Sequence, residues 1–330
     1  MSRWTLGPAL ALLLAAAIVL GTRFGSVALT TPDVMAALTG GGEAATRDIV
    51  LRLRLPRALL GALVGGGLAI AGATFQALLR NPLAEPYILG ISGGASVGAV
   101  LALAFGWMAA GSWSLPLAAF LGALVAILLV FRVATASGRA MDVRVLLLAG
   151  VVVAAFFSAC VAFILSVSPA RTVQSAVLWI MGSLAGATWK SVALTSAYTI
   201  PSAALLLALA RPLNLIAVGE ETAHHLGADV EGVKRVALAV AALITASGVA
   251  VAGIIGFVGL VVPHGVRLLI GSDHRALLPL SFLAGGAFLT LADVVARLAL
   301  PPTEVPIGVI TAFVGVPLFL VLLRRSVVAP

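Results

Sequence analysis

Long apolar runs separated by short polar segments dominate the sequence. Most runs contain about 17 to 25 residues, the helical length that crosses a hydrocarbon core of roughly 30 Å. We therefore predict an all-α polytopic membrane protein with about ten transmembrane helices. The clear spans begin near Leu6, Leu59, Ile88, Leu115, Val145, Val192, Val236, Leu277 and Val305.

Two segments depart from this simple pattern. Residues 259–270 form a shorter apolar run that contains Pro263 followed by His264, so we predict a half-length or kinked tenth span there. Residues 173–189 are apolar but contain glycines and end in Thr-Trp-Lys. For this segment we predict a short helix at the membrane interface, with a crossing helix as the alternative.

The most polar interruption is the segment 217–235, AVGEETAHHLGADVEGVKR, which lies between two apolar runs. A charged side chain at the centre of a bilayer costs about 3 kcal/mol, so we expect this segment to be exposed to water. The pattern predicts two short helices. The first runs from Glu220 to Leu226 and is ended by Gly227, and Asp229 caps the second. A partner could grip such a loop, and an ordinary solvated connector is the alternative interpretation.

A second polar segment, residues 21–57, separates the first two predicted spans. Thr31-Pro32-Asp33 is typical of a helix start, and the glycines at 40–42 are typical of a turn. The segment ends in a basic block formed by Arg52, Arg54 and Arg57. These arginines are either interfacial anchors or part of a binding surface.

The end of the second span is a rigid polar corner, Asn81-Pro82-Leu83-Ala84-Glu85-Pro86. A weak internal similarity links the stretch that leads to this corner, residues 69–82, with residues 250–263. In each stretch a glycine of an AxAG sequence, Gly72 or Gly253, precedes a proline by ten residues. An inverted internal repeat would produce this similarity, and so would chance resemblance between Gly- and Ala-rich helices.

Composition and charge agree with the membrane interpretation. The 330 residues are 62% hydrophobic and only 10% charged, which excludes a soluble enzyme and a disordered chain. The net charge of +8 does not indicate nucleic-acid binding, because no soluble domain carries a basic groove. More basic residues lie inside if both termini are cytoplasmic, although the block near Arg54 then lies outside. The single cysteine, Cys160, excludes an internal disulfide and a cluster of thiolate metal ligands.

The sequence contains no motif for a catalytic or self-powered function. No GxxxxGK[ST] loop occurs, so we do not expect this chain to hydrolyse ATP. No set of acidic residues recurs across several spans, which argues against the alternative of a proton-coupled secondary transporter. Asp293 is the clearest charged residue within a span, and we predict a local ion pair with Arg297 four residues later.

Four motifs together resemble one transporter family. They are RLPR at 54–57, NPLAEP at 81–86, GFVGLVVPH at 256–264 and EVPIG at 304–308. The sequence resembles, over nearly its whole length, the permease subunits of ABC importers for vitamin B12, heme and ferric siderophores. The resemblance implies a single transmembrane permease domain over residues 1–330 in the inner cell membrane.

The family's known assembly gives further expectations. The resemblance implies a homodimer with the translocation pathway at its axis, two ATPase subunits on the cytoplasmic side and a soluble substrate-binding protein outside. ATP and magnesium would be bound by the ATPase, and this chain would hold no cofactor or metal. The resemblance leaves the cargo open, with a ferric siderophore or heme slightly ahead of cobalamin.

The resemblance also assigns roles to individual residues. Arg54, Arg57 and Arg297 match positions that receive acidic residues of the binding protein. Asn81 and Leu83 match a cytoplasmic gate, and Met141 and Asp142 match a second gate where the family often has small hydroxyl residues. The residues expected to contact the ATPase, within coupling helices at 217–235, are Gly219, Glu220, Glu221, His224, Leu226, Gly227 and Asp229.

Overall fold

The computed structural model describes residues 3–107, 113–135 and 141–328. These residues are almost entirely helical, and the described part of the chain contains no β-strand beyond an isolated bridge between Leu300 and Thr303. In chain order the α-helices are α1 (Arg3–Arg23), α2 (Thr31–Leu38), α3 (Ala44–Asp48), α4 (Leu55–Leu78), α5 (Ile91–Ala104), α6 (Ser114–Thr135), α7 (Val143–Ser166), α8 (Ala170–Ile180), α9 (Trp189–Ala208), α10 (Ala210–Val218), α11 (Glu220–His225), α12 (Val230–Ala252), α13 (Val258–Ile270), α14 (His274–Leu298) and α15 (Ile307–Val328).

The number of apolar helices agrees with the sequence pattern. Among the described residues, seven helices are long and apolar enough to cross a membrane, and three further apolar helices are shorter. The shorter ones are α5, α13 and the Ile307–Val321 part of α15. The predicted all-α polytopic fold is therefore confirmed, and the half-length tenth span is α13.

The second predicted span belongs to a longer helix than expected. α3 and α4 are joined by a π-helical segment, Ile49–Arg54, so that one continuous helix covers Ala44–Leu78. The basic block, predicted at the end of the polar segment where the chain enters the membrane, lies within this continuous helix. The wider π turn lets the chain continue from α3 into α4 without a break. Arg52, on the outer part of this helix, pairs with Asp48 at 3.1 Å.

Helix α4 lies in the centre of the molecule. It packs against α1, α9, α12, α13 and α14, while α5, α6 and α7 form a second group. Glycines allow these close contacts: a Cβ at Gly72 would overlap the carbonyl oxygen of Gly259, and one at Gly65 would overlap that of Gly285. The glycine-rich sequence of α4 is therefore explained by helix packing.

The helical path is interrupted between α12 and α13. Residues 253–257 are not helical, and both Gly253 (φ +70°) and Phe257 (φ +68°) adopt positive φ. A glycine adopts this conformation without strain, whereas Phe257 does so at some cost. The break lies inside the helix bundle, which explains why α13 is too short to span a membrane alone.

The segment predicted to be a short helix contains α8. This helix has 11 residues and is about 16 Å long at 1.5 Å per residue, too short to cross a membrane. A turn follows, and Thr188 caps the start of α9. A short helix is therefore confirmed, while its position at the membrane interface stays a prediction.

The two stretches of the suggested internal repeat differ in conformation. Gly72 lies within α4, whereas Gly253 lies in the break after α12. Pro82 follows the end of α4, whereas Pro263 is inside α13. The sequence similarity is therefore not accompanied by the same local structure.

Candidate functional site

Polar residues gather at the two ends of the central helix pair. Helix α4 is about 36 Å long, with Arg57 in its first turn and Asn81 just beyond its last residue. Helix α14 runs antiparallel to α4, so its end, with Arg297, lies near Arg57. Its start lies beside the middle of α10, where His274 contacts Asn214. We call the end with Arg57 and Arg297 the arginine end. The end with Asn81, Asn214 and His274 is the coupling end.

At the coupling end, the first predicted short helix is present as α11. Leu226 follows it as the C-cap, and Gly227 then adopts φ +82°, the left-handed conformation expected of a helix terminator. Asp229 caps the next helix by accepting a hydrogen bond from the Gly232 amide at 3.0 Å. Both predicted boundary residues are therefore confirmed.

The second predicted short helix is instead the start of the long helix α12. This helix begins at Val230 and runs without interruption to Ala252, so Glu231, Lys234 and Arg235 occupy its first turns. The span was predicted to begin near Val236 because the apolar run begins there. The charged turns extend past the apolar part of the helix, and the Asp229 cap sets the true start.

The surface formed by α11 and the start of α12 at the coupling end is acidic and open. Glu221, His224 and Asp229 are exposed, and Leu226 is 64% exposed. A cavity of about 620 Å³ lies between α11 and the start of α12. The residues that line it are Glu220, Glu221, His224, Gly227, Ala228, Asp229, Val230, Glu231 and Lys234. All predicted ATPase contacts except Gly219 and Leu226 therefore line this one cavity.

A buried lysine joins this element to the second predicted gate. Lys234 is only 2% exposed, and its Nζ donates to Glu220 Oε2 at 2.9 Å and to the carbonyl oxygen of Met141. Glu231 accepts a hydrogen bond from the Met141 amide. The next residue, Asp142, is exposed and caps α7 by accepting from the Arg144 amide at 2.7 Å.

The corner after α4 stabilises the break between α12 and α13. Asn81 Oδ1 accepts from the Leu83 amide at 2.9 Å and closes the turn, which leaves Leu83 exposed. Glu85 then accepts from the Phe257 amide at 2.8 Å. The Tyr87 hydroxyl accepts from the Ile255 amide at 3.2 Å and donates to its carbonyl oxygen at 3.1 Å. Backbone groups that the break leaves without helical partners are thus paired inside the bundle.

An open apolar cavity of about 610 Å³ lies beside this break. Gly256 and Phe257 of the break line it, together with Met181 after α8 and Phe313 on α15. The corner, the break and this cavity are adjacent, because Glu85 of the corner pairs with Phe257, which lines the cavity.

At the arginine end, Asp293 is the centre of an ion-pair network. It pairs with Arg297 at 3.1 Å, which confirms the predicted local pair. It also pairs with Arg57 at 2.8 Å, and Arg57 reaches Glu304 at 2.8 Å. The sequence analysis missed both of these longer-range pairs.

The three arginines expected to meet a binding protein point into the subunit. Arg54 is buried and donates to backbone carbonyl oxygens at the end of α1 and in the loop after it, including that of Arg23 at 2.7 Å. Arg297 is also buried and donates to the Phe24 carbonyl oxygen at 2.8 Å. The side chain of Arg57 is 12% exposed and that of Glu304 is 33% exposed. Of the three arginines, only Arg57 is partly accessible to a partner. Its ion-pair partner Glu304 is more exposed than Arg57 itself.

Sequence reasoning therefore missed a set of polar residues that join distant segments. Two of them lie inside motifs noted above, because Glu85 belongs to NPLAEP and Glu304 to EVPIG. Their charge within otherwise apolar motifs was the available signal. Lys234 and Tyr87 gave no signal, because nothing in the local pattern indicated their burial or their partners.

Known proteins share both the sequence and the fold. A profile of the FecCD transport family matches residues 13–325. The cobalamin import system permease protein BtuC of Halobacterium salinarum is 47% identical over 289 residues, which cover 88% of this chain and 77% of that protein. The vitamin B12 import system permease protein BtuC of Escherichia coli O157:H7 is 43% identical over 277 residues, 84% of each chain.

A solved structure supports the same relationship. It is described as an inward-facing conformation of a metal-chelate type ABC transporter, and it matches with a TM-score of 0.88 and 32% identity. The match covers 97% of this chain and 99% of that one.

Fold and relatives together define the membrane permease subunit of an ABC importer of the metal-chelate or vitamin B12 type. The chain belongs to the FecCD transport family. It is a multi-pass membrane protein that works with ATPase subunits and a substrate-binding protein. The family resemblance seen in the sequence is thereby confirmed.

Proposed function

We propose that this permease imports a corrinoid such as cobalamin. The observation that carries the proposal is the similarity to two cobalamin permeases, at 47% and 43% identity over most of each chain. The sequence analysis placed a ferric siderophore or heme slightly ahead, from the breadth of the family alone. A ferric chelate stays the second candidate, because the solved neighbour is described as a metal-chelate type transporter.

In the proposed importer the permease domain, residues 1–330, forms a homodimer in the inner cell membrane, in contact with lipid. Both termini lie in the cytoplasm, which puts the coupling end inside and the arginine end outside. Two ATPase subunits bind ATP and magnesium, and each docks on α11 of one permease. The contact residues are Gly219, Glu220, Glu221, His224, Leu226, Gly227 and Asp229.

The proposed pathway runs beside the break between α12 and α13, at the dimer axis. The apolar cavity lined by Phe257 and Phe313 forms one half of it. Two pairs of residues form the cytoplasmic gates, Asn81 with Leu83 and Met141 with Asp142. An apolar passage with few fixed polar contacts is compatible with a bulky chelate whose recognition lies mainly in the binding protein.

At the arginine end, we propose that acidic residues of the binding protein compete with Glu304 for the arginines of the network. Arg57 is the reachable member, since it is partly exposed and its partner Glu304 is the most exposed acid of the network. Arg54 and Arg297 are buried and would contribute indirectly. They would add positive potential and hold the loop after α1 in place.

Uptake measurements test the cargo directly. In a strain that lacks the gene, we would measure energised uptake of labelled cobalamin, heme and a ferric siderophore, with and without the restored permease. We expect cobalamin uptake alone to be lost and restored. Loss of ferric siderophore or heme uptake with normal cobalamin uptake would overturn the proposed cargo. Restored uptake that depends on the proton gradient and needs no ATPase partner would contradict the importer mechanism itself.

A further inference from the structure

Lys234 has an unusual environment for a lysine near a helix start. Its side chain is 2% exposed, although it lies in the second turn of α12 at the coupling end. Burying an ammonium group costs several kcal/mol unless charged and polar partners compensate. Lys234 has such partners in Glu220 Oε2 at 2.9 Å, the Met141 carbonyl oxygen and Glu231 Oε1 at 3.9 Å.

Met141 is held at both of its backbone polar groups. Its carbonyl oxygen accepts a hydrogen bond from Lys234. Its amide donates a hydrogen bond to Glu231, which lies one turn before Lys234 on α12. Its side chain is buried as well. The residue that precedes the cap of α7 is therefore fixed to the first turns of α12, about ninety residues later in the chain.

Among the described residues, few other contacts connect α7 with the coupling end. Along its length α7 packs against α5, α6 and the 3-10 segment Pro86–Leu89. Helix α11 packs against α10 and the start of α12. The described contacts thus join α11 and the start of α7 mainly through Lys234, which touches Glu220 on one side and Met141 on the other.

We propose that Lys234 is a positioning residue that makes α11, the start of α12 and the Met141 segment move as one unit. A displacement of α11 by the ATPase would then reach the second gate, Met141 and Asp142, directly through this side chain. The inference rests on the proposed docking of the ATPase at α11, and it adds the route by which that movement reaches α7.

The competing explanation is that Lys234 only stabilises the fold. A purely stabilising residue would change yield and thermal stability, but it would not separate ATP hydrolysis from transport. The test therefore needs a measure of coupling and a measure of relative movement, both made on the assembled importer with its ATPase and binding protein.

Four variants separate the two explanations. Lys234→Met keeps the length of the side chain and removes its charge, and Lys234→Arg keeps the charge. The double variant Lys234→Met/Glu231→Gln also removes the charge of the carboxylate that faces Lys234 at 3.9 Å, and it keeps an oxygen that can accept from the Met141 amide. Lys190→Met is the matched control, because Lys190 is the only other lysine and is exposed at the start of α9.

The first measurement is uptake per ATP hydrolysed in reconstituted vesicles. We expect Lys234→Met and the double variant to keep the bound ATPase and its hydrolysis, while uptake per ATP falls about tenfold, equivalent to about 1.4 kcal/mol. Lys234→Arg should recover most of the coupling, and Lys190→Met should match the wild type. Normal uptake per ATP in both Lys234→Met variants would overturn the proposal.

The second measurement follows the distance between spin labels at two exposed positions, Arg144→Cys in α7 and His225→Cys in α11. Replacing the single cysteine by Cys160→Ala makes the labelling specific, and dilution with unlabelled chains isolates the distance within one subunit. With Lys234 present, we expect the same distance with and without nucleotide. With Lys234→Met, the distance should change with nucleotide. A nucleotide-dependent distance in the presence of Lys234 would contradict movement as one unit.

The outcome also distinguishes this inference from the proposed function. If the wild-type permease binds no ATPase and imports without ATP hydrolysis, the importer mechanism fails. If the wild type couples hydrolysis to import and Lys234→Met does so equally well, only the role of Lys234 fails.

Discussion

Asp293 shows how much of this structure depends on single buried charges. It is 1% exposed and accepts from Arg57 and Arg297, so one carboxylate holds α4 and α14 together at the arginine end. Glu304 compensates part of the remaining positive charge on Arg57. A buried network of this kind is held in place by geometry, since each charge depends on the others for compensation.

Replacing Asp293 by Asn should therefore destabilise the protein strongly. The change leaves two buried guanidinium groups with one fewer counter-charge, and we expect a loss of about 3 to 5 kcal/mol, seen as a lower midpoint of thermal unfolding in detergent. Asp48→Asn is the control, because its pair with Arg52 is exposed, at 58% and 76% for the two side chains. That variant should lose less than about 1 kcal/mol. Equal midpoints for the two variants would disprove a structural role for the network.

Glu85 is the second residue whose role can be isolated. Glu85→Ala leaves the Phe257 amide without its partner, and we expect a loss of about 1 to 3 kcal/mol of stability. Glu85→Gln retains an oxygen that can accept this hydrogen bond, so it should lose clearly less. Thermal unfolding and uptake would be measured for both. The same loss for Ala and Gln would show that the hydrogen bond to the break is not what Glu85 contributes.

At the scale of elements, the helix start and stop signals were the most reliable part of the sequence. Thr31-Pro32-Asp33 does mark α2, although Thr30 is the capping residue, and its hydrogen bonds to the Asp33 carboxylate lower the pKa of that group. Gly227 and Asp229 end and start helices as predicted. Such signals act within a few residues, so they can be read without knowledge of the fold.

Features that depend on contacts between distant segments could not be predicted in the same way. The pairs of Arg57 with Glu304 and of Lys234 with Met141 join residues far apart in the chain. The break at Gly253 has a glycine as its local signal, but its position depends on Glu85 and Tyr87, which pair with the opened backbone. Hydrophobic periodicity therefore predicted the spans, while the polar links between them required the structure.

Close packing between α4 and α13 leads to a prediction for one glycine. Gly72→Ala places a methyl group onto the Gly259 carbonyl and forces the helices apart. We expect a loss of about 1 to 3 kcal/mol and impaired uptake, measured by thermal unfolding and transport. Gly248→Ala is the control, because its Cβ would meet Val64 at an ordinary 3.5 Å. If Gly248→Ala were the more damaging change, close approach would not explain the glycine in α4.

At the scale of the whole molecule, charge at the two ends should control the two partners separately. We expect Arg57→Gln to weaken the binding protein's affinity about fivefold at low salt, and Glu304→Gln to strengthen it by removing a competitor. Both effects should shrink as salt rises. Binding would be measured by surface plasmon resonance with the importer in nanodiscs, with Arg52→Gln as the exposed control. Changes of the same sign for Arg57 and Glu304 would rule out competition.

The coupling end gives the complementary prediction. Glu221 is exposed and lacks the lysine contact of its neighbour Glu220, so Glu221→Lys should reverse charge at the ATPase contact without disturbing the fold. We expect weaker ATPase association, by about 1 to 2 kcal/mol, with unchanged binding-protein affinity. Co-purification with the ATPase measures the first and plasmon resonance the second. Unchanged ATPase association would leave α11 as an ordinary connector.

The π-helical segment Ile49–Arg54 affects how the outer part of the protein can vary in length. A π turn contains about one residue more than an α turn, so losing one residue here would convert it to regular α-helix. The helix would continue, and α3 would keep nearly the same rotation about the axis relative to α4, because a π turn and an α turn each complete one full rotation. The same deletion inside α4 would turn every later side chain away from its partner. The segment is thus a place where the helix can lose one residue while the outer surface and the membrane bundle both keep their orientation.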